Sequence, residues 1–318
     1  MIKLNDEIIN VKHFPDGTVN FKFGEVDDLN DIRPNRISWN YENDSEMFIV
    51  YCLVNMIREV FPCAKIELEM PYLPNARMDR IKNNSEAFTL KYFAKFINDL
   101  NFETVFIYDI HSNVGNALID RVVELYPYDN VEAVIRKHYI HTLYFPDEGS
   151  VKRYADKFDT PFVFGMKKRD WETGQILGLD VLGNAELIKG QDILIVDDIC
   201  SRGGTFYHSA KKLKELGANK IYLYVTHCEN TILEGILKDH WVEANKLEQT
   251  INDLMDSNLD NDSETVYKIT GYNTIDEAYA GLKVLKKKAE FEYNLIEKVY
   301  TTDSIFTKEH EKIEVFKI

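Results

Sequence analysis

Short apolar runs alternate along this chain with longer segments in which apolar residues recur every three or four positions. The first pattern is typical of buried β-strands and the second of amphipathic helices. The clearest short run is Ile193–Val196, which is rich in β-branched residues and is followed by a helical pattern through Lys214. Strands and helices in alternation predict mainly parallel sheets covered by helices on both faces.

The first part of the chain predicts two short strands joined by a Pro-Asp-Gly turn, followed by helices and strands in alternation. The predicted strands are Ile8–His13, Val19–Phe23, Lys65–Met70 and Thr104–Ile110, and the predicted helices are Glu46–Val60 and one that begins at Ser85. This order indicates an α/β domain over residues 1–126.

The second part repeats the alternation and then changes character. Its predicted strands are His141–Phe145, Phe162–Gly165, Gln175–Leu182, Ile193–Val196, Ile221–Thr226, Ile296–Thr301 and Lys312–Ile318, with a helix at Val151–Lys157. Residues 229–290 are acidic at first, low in glycine and proline, and helical in period. We therefore predict a second α/β domain over residues 127–318, with a helical insertion at about 229–290.

Composition limits the partners and the location. The 318 residues suffice for two domains, and the net charge of −15 argues against a nucleic-acid partner. The longest apolar stretch, Met47–Met56, is interrupted by Asn55 and is too short to span a membrane. Neither a leader segment nor zinc spacing of cysteines is evident. We expect a cytoplasmic protein with reduced thiols and no membrane partner.

The densest candidate chemistry lies in Gln191–Phe206. Asp197 and Asp198 follow a strand, and Gly203-Gly204-Thr205 leads into a helix. A helix N-terminus offers N–H groups to a phosphate, and paired carboxylates accept hydrogen bonds from ribose hydroxyls. The spacing favours a phosphorylated sugar, although an ordinary strand–turn–helix with solvated acids fits it equally well. Neither a P-loop nor a dinucleotide fingerprint occurs in the sequence.

This segment resembles the phosphoribosyl-pyrophosphate loop of type I phosphoribosyltransferases and of ribose-phosphate pyrophosphokinases. Pro71–Arg80, PYLPNARMDR, resembles the PY-x-x-x-ARQD-[RK] segment that only the pyrophosphokinases have. Further matches follow in collinear order, at His13–Gly17 (the adenine loop), Asp109–Ser112 (Asp-Leu-His-Ala), Phe145–Gly149 (Ser-Pro-Asp-x-Gly) and Lys167–Arg169 (Lys-Arg-Arg). The chain is similar to a divergent pyrophosphokinase, which implies two phosphoribosyltransferase-like α/β domains, the first on the ATP side and the second on the sugar-phosphate side.

The resemblance implies transfer of the β,γ-diphosphate of ATP to the anomeric hydroxyl of ribose 5-phosphate, which gives phosphoribosyl pyrophosphate and AMP. It implies Mg²⁺ as cofactor and a homo-oligomer, dimer or hexamer. The residues that it implies are Lys167 and Arg169 for catalysis; Phe14, Asp16, Arg77, Met78, Asp79, Arg80 and His111 for ATP; Asp197, Asp198, Ser201, Arg202, Gly203, Gly204 and Thr205 for the sugar phosphate; and His111 and Asp147 for the metal.

Departures from the family pattern keep alternatives open. Thr18 replaces the expected Glu of the adenine loop, and Met78 the expected Gln. Ser201 stands where an acid is usual, with Arg202 beside it, which favours a more anionic 5-substituent. ADP-ribose is therefore the alternative acceptor, after ribose 5-phosphate. A phosphoribosyltransferase and an inactive regulatory subunit are further alternatives. The motifs of Arg77, His111 and Asp147 oppose the first, and retention of the catalytic cations and the paired acids opposes the second.

Overall fold

The computed structural model describes residues 1–24, 29, 32–169, 176–238, 240–256 and 263–318, without the side chains of 167–169, 176–178, 240–243, 263 and 292. Strands β1–β15 are Ile2–Leu4, Glu7–Ile8, Lys12–His13, Val19–Asn20, Asn35–Trp39, Ile66–Met70, Thr104–Tyr108, Val122–Leu125, Thr142–Phe145, Phe162–Arg169, Ile176–Leu182, Ile193–Cys200, Ile221–Cys228, Lys298–Thr302 and Ile313–Phe316. Helices α1–α9 are Glu46–Val60, Thr89–Asp99, Asn113–Leu118, Tyr128–His138, Glu148–Tyr154, Gly204–Glu215, His240–Asp256, Ser263–Thr270 and Ile275–Tyr293.

The first sheet has the strand order β2-β1-β5-β6-β7-β8. Strands β5 to β8 run parallel, and β1 pairs antiparallel with both β2 and β5. Helix α1 begins and ends as the apolar period predicts, and it buries Leu53, Val54 and Ile57 in the core of this sheet. Its first residue, Glu46, accepts a hydrogen bond from the Trp39 indole at 2.9 Å, which ties the helix start to the end of β5.

The predicted hairpin is present, but the strand before it is not continuous. β3 pairs antiparallel with β4 across the Pro-Asp-Gly turn, where Gly17 has a φ of 85° and Asp16 accepts a hydrogen bond from the Thr18 amide at 3.0 Å. The prediction of one strand over Ile8–His13 is wrong, because β2 joins the first sheet whereas β3 belongs to the hairpin.

The second sheet has the order β11-β10-β9-β12-β13-β14-β15, with only β11 antiparallel among the described pairings. Its central strand β12 is covered on both faces. Ile193 and Ile195 belong to the apolar cluster that contains Phe206 of α6, whereas Leu194 and Val196 belong to the cluster that contains Tyr154 of α5. Burial on both faces explains why this strand is a continuous apolar run in the sequence.

Several element boundaries differ from the sequence prediction. Helix α2 begins at Thr89 instead of Ser85, because Asn83 accepts a hydrogen bond from the Ser85 amide at 3.0 Å and forms a local turn there. Strand β12 continues through Asp197 and Asp198 to Cys200, held by pairing with β13. Strand β10 likewise continues to Arg169, since β11 pairs with it. The short elements α3, β8 and α4 had no sequence prediction.

Three helices, α7 to α9, lie between β13 and β14. The outer pair, α7 and α9, packs around a small cluster of its own that contains Ala244, Ile251, Ala278 and Leu282. The polar segment Asp256–Ser263, whose sequence predicts an exposed loop, lies almost wholly outside the described residues. Within the described ranges, no helix is long and apolar enough to cross a membrane. A domain boundary between residues 126 and 127 remains a proposal; it falls between β8 of the first sheet and α4, which packs on the second.

Candidate active site

A cleft of about 990 Å³ lies where the carboxyl ends of strands from the two sheets face each other. Most of the residues that the sequence predicted for ligands line it: Arg77, Asp79, Arg80, His111, Asp147, Asp197, Asp198, Ser201, Arg202, Gly203, Gly204 and Thr205. Phe14 and Asp16, on the β3–β4 hairpin, and Met78, between Arg77 and Asp79, do not line it. The side chains of Lys167 and Arg169 lie outside the described residues.

Asp198 is a buried carboxylate of the cleft, with an arginine and a histidine as its partners. Its side chain is 5% exposed and lies 2.8 Å from Nη1 of Arg153, while its other oxygen is 2.6 Å from Nδ1 of His111. Burial alone would raise the pKa of Asp198, but the hydrogen bond from His111 and the charge of Arg153 outweigh burial and hold this pKa well below its usual range. Asp198 is therefore ionised near neutral pH.

Asp197, its neighbour in sequence, has a different environment. Its Oδ1 accepts a hydrogen bond from the Ser150 hydroxyl at 2.9 Å. Burial raises the pKa of Asp197 well above its usual range, and the negative charges of Asp198 and Asp147 raise it further. The two adjacent acids thus differ in their affinity for a proton.

Asp147 starts helix α5 at the edge of the cleft. Its Oδ1 accepts hydrogen bonds from the amides of Gly149 at 3.0 Å and Ser150 at 3.1 Å, so it acts as an N-cap residue. The Ser150 hydroxyl, 3.2 Å from the same oxygen, then bridges Asp147 to Asp197. This cap explains why α5 begins at Glu148, earlier than the sequence prediction of Val151.

Arg153 is a site residue that the sequence reasoning missed. Its side chain is 13% exposed, and it also donates a hydrogen bond to the main-chain oxygen of His111. Burial alone would lower the pKa of Arg153, but the charge of Asp198 outweighs burial and raises it. A sequence signal existed, because residue 153 is one turn beyond Ser150 on a helix that starts at the cleft.

A buried polar group underlies the cleft and joins the two sheets. Asp109 follows β7 with a φ of 45° and accepts hydrogen bonds from the Tyr154 hydroxyl at 2.6 Å and from the Thr226 hydroxyl. Burial raises the pKa of Asp109 to about 7. The neighbouring His227 is 2.9 Å from the Ser304 hydroxyl and 3.1 Å from the Tyr108 carbonyl oxygen, and burial lowers its pKa to about 4.

The loop from Ser201 to Thr205 connects β12 to the N-terminus of α6. Gly203 has a φ of 81°, and an added Cβ would meet Ile236 at 2.4 Å, so only glycine fits there. The Ser201 hydroxyl donates to Glu229 at 2.7 Å, and Arg202 pairs with Glu234 at 3.1 Å. The loop thus packs against the turn that follows β13.

The arginines of the first sheet approach from the opposite side. Arg77 forms an ion pair with Glu229, which connects the two sides of the cleft. Arg80 is 88% exposed, and its described ion pair is a long one, 4.0 Å to neighbouring Asp79. Two such guanidinium groups provide permanent positive charge at the entrance.

The donor set fits a magnesium ion that keeps most of its water. Among the described residues, no three His, Cys, Asp or Glu side chains are arranged as a metal cluster. Mg²⁺ is commonly held by one or two carboxylates plus substrate phosphates, and therefore needs no such cluster. Asp147 would provide carboxylate oxygen to the ion. His111 is hydrogen-bonded to Asp198 through Nδ1, so only its Nε2 could reach a metal.

Two largely parallel sheets flanked by helices, with paired acids and a glycine-rich loop at their facing ends, form a phosphoribosyltransferase-like fold. A family model described as "Phosphoribosyl transferase domain" matches residues 150–255. A solved structure of phosphoribosylpyrophosphate synthetase from Mycobacterium smegmatis superposes with a TM-score of 0.62 at 15% identity, covering 98% of this chain and 86% of that one. This likeness confirms the predicted fold class.

Sequence relatives narrow the class. A ribose-phosphate pyrophosphokinase from Thermococcus kodakarensis is 27% identical over 69% of this chain and 77% of its own length. A ribose-phosphate pyrophosphokinase from Ureaplasma parvum is 32% identical over 58% of this chain and 57% of its own length. Another, from Shewanella oneidensis, is 26% identical over 71% of this chain and 71% of its own length. These relatives are all ribose-phosphate pyrophosphokinases, which are transferase enzymes, so the similarities support the family that the motifs predicted.

Proposed function

We propose that the protein transfers the β,γ-diphosphate of Mg-ATP to the anomeric hydroxyl of ribose 5-phosphate, giving phosphoribosyl pyrophosphate and AMP. One observation carries this proposal. Arg77 and His111, which follow strands of the first sheet, line the same cleft as the paired acids and the glycine-rich loop of the second. A two-substrate transfer needs both ligands side by side, because most of its rate gain comes from positioning and charge neutralisation.

On the acceptor side, the chain offers groups that suit a sugar phosphate. Asp198 is ionised, because Arg153 and His111 stabilise its charge, and a carboxylate accepts hydrogen bonds from adjacent ribose hydroxyls. Asp197, tied to Ser150, completes the pair. The main-chain N–H groups from Ser201 to Thr205, at the start of the 12-residue helix α6, would hold the 5-phosphate.

On the ATP side, Arg77 and Arg80 would bind the triphosphate, with Asp79 and Met78 beside them. His111 and Asp147 would hold Mg²⁺, which would neutralise charge on the triphosphate. Lys167 and Arg169 lie at the end of β10 and would stabilise the charge that develops as the diphosphate leaves AMP. Arg153 keeps His111 in place through its main-chain oxygen.

The local charges support ribose 5-phosphate as the acceptor. Ser201 and Arg202 together would make the loop more positive than its relatives' loops. However, Glu229 bonds to Ser201, and Glu234 pairs with Arg202 at 3.1 Å. These two carboxylates offset the added positive charge, so the loop gains no net preference for the diphosphate of ADP-ribose.

We also propose a cytoplasmic homo-oligomer, dimer or hexamer. Phe14 and Asp16 lie on a hairpin away from this chain's own cleft. In the family that the motifs resemble, this loop reaches the adenine of a neighbouring subunit, and the location of the hairpin is compatible with that use. Light scattering of the purified protein would measure the assembly, and a monomer would contradict it.

The activity is tested with Mg-ATP, equal concentrations of ribose 5-phosphate and ADP-ribose, and mass spectrometry of the products. We expect AMP and a diphosphate adduct of ribose 5-phosphate, with no nucleobase required. Diphosphate added only to ADP-ribose would show that ADP-ribose, and not ribose 5-phosphate, is the acceptor. AMP release that depends on neither sugar, or no AMP release at all, would refute the proposal.

A further inference from the structure

Glu229 connects the two sides of the cleft. It follows β13 directly, and its side chain is 32% exposed. Oε1 pairs with Arg77, a residue 152 positions earlier in the chain. Oε2 accepts hydrogen bonds from the Ser201 hydroxyl at 2.7 Å and from the Thr231 hydroxyl at 3.0 Å. One carboxylate therefore contacts both the arginine assigned to ATP and the loop assigned to the sugar phosphate.

The two oxygens of Glu229 have separable tasks. The bonds to Ser201 and Thr231 lie within the second half of the chain and hold the carboxylate at the start of the loop. The ion pair with Arg77 crosses the cleft between two partly exposed groups, 45% and 32% exposed. Exposed ion pairs contribute little to stability, so Arg77 can leave Glu229 at small cost. A polyphosphate offers Arg77 more negative charge than one carboxylate does.

We propose that Glu229 is a positioning residue that occupies Arg77 in the substrate-free protein and yields it to the polyphosphate of ATP, while remaining bound to the sugar-phosphate loop. The inference rests on the proposed function and goes beyond it, because it assigns a role to a residue outside the family-like motifs. Glu229 thereby lowers the affinity for ATP and keeps Ser201 in place for the acceptor.

The test compares Glu229→Gln with the wild type. The amide oxygen of Gln can still accept from Ser201 and Thr231, but it no longer carries the charge that competes for Arg77. By calorimetry with Mg-α,β-methylene-ATP and no acceptor, we expect E229Q to bind about two- to fivefold tighter, the worth of an exposed ion pair. Glu229→Ala should bind the analogue as tightly as E229Q does. It should also raise the acceptor KM, since Ser201 loses its carboxylate partner and keeps only the Thr231 hydroxyl at 3.2 Å.

Two controls separate this exchange from a general charge effect. Glu103→Gln removes one negative charge from an exposed ion pair with Lys65 at the opposite end of β7, and it should leave analogue affinity unchanged. In an Arg77→Ala background, E229Q should produce no further gain, because the contested cation is gone. A gain that survives in that background, or that E103Q reproduces, would overturn the inference.

The outcomes also distinguish this inference from the proposed function. A wild type that binds the analogue and releases AMP from ATP, together with an E229Q variant of unchanged or weaker affinity, would overturn the role of Glu229 alone. A wild type that fails to bind the analogue or to release AMP would overturn both.

Discussion

Replacing Arg153 with Met tests whether the buried ion pair organises the cleft. Met has a similar length and no charge, so the substitution leaves Asp198 buried with His111 as its remaining described partner. It also removes the donor to the main-chain oxygen of His111. We expect lower stability and weaker acceptor use from this one change.

The expected loss in the free energy of unfolding follows from the burial of the ion pair. Arg153 and Asp198 are 13% and 5% exposed, and removing one partner of a buried pair typically costs about 3–5 kcal/mol. The pKa of Asp198 is lowered in the folded protein, so the pair contributes its stability above the unfolded pKa of about 3.9 and loses it as pH falls toward the folded value. The difference between R153M and wild type should therefore be full at neutral pH and shrink below about pH 4.

The assay is urea unfolding at pH 7 and in an acid series, with matched variants. Arg153→Lys keeps the charge but loses the planar fork, and should fall between R153M and wild type. Arg136→Met removes an exposed arginine that pairs with Glu132 on α4, at 68% and 38% exposure, and should change the free energy of unfolding by no more than about 0.5 kcal/mol. An R153M protein as stable as R136M at pH 7 would refute the reasoning.

Three further predictions concern the chemistry and its pH dependence. Lys167→Ala or Arg169→Ala should lower kcat by on the order of a hundredfold with little change in the ATP KM, and a wild-type kcat in either would remove the assignment. Asp197→Asn should reduce kcat/KM for the acceptor by about ten- to a hundredfold while analogue binding stays unchanged in calorimetry, since the amide replaces one carboxyl oxygen with a group that can only donate; an unchanged acceptor kcat/KM would contradict it. Asp109 has a folded pKa raised to about 7, so its contribution to wild-type stability is present at low pH and is lost as pH rises from about 4 through 7. Asp109→Asn should remove that loss when the free energy of unfolding is measured in urea across this pH range. Wild-type and variant stabilities that change in parallel with pH would contradict it.

The sequence predicted the helices and strands whose apolar residues recur at a regular spacing. It missed the contacts between residues that are far apart in the chain. Helix α1 and the central strand β12 follow from apolar period, because their burial is a local pattern. Most of the motif residues line one cleft because they lie at strand ends, and the carboxyl ends of parallel strands share an edge. Arg153 and Glu229 were missed because their partners, Asp198 and Arg77, lie 45 and 152 positions away.

The paired acids show why identical residues at adjacent positions cannot be assigned roles from sequence. Asp198 continues the face of Leu194 and Val196, toward α5, where Arg153 and His111 stabilise its negative charge. Asp197 meets only the neutral hydroxyl of Ser150 among its described hydrogen-bond partners, with two negative neighbours close by. Opposite environments push the two pKa values apart, and such a split is how one fold obtains different roles from two carboxyl groups. In this cleft, Asp198 is the charge that holds Arg153 and His111, and we expect a bound cation or sugar to change the charge of Asp197 instead.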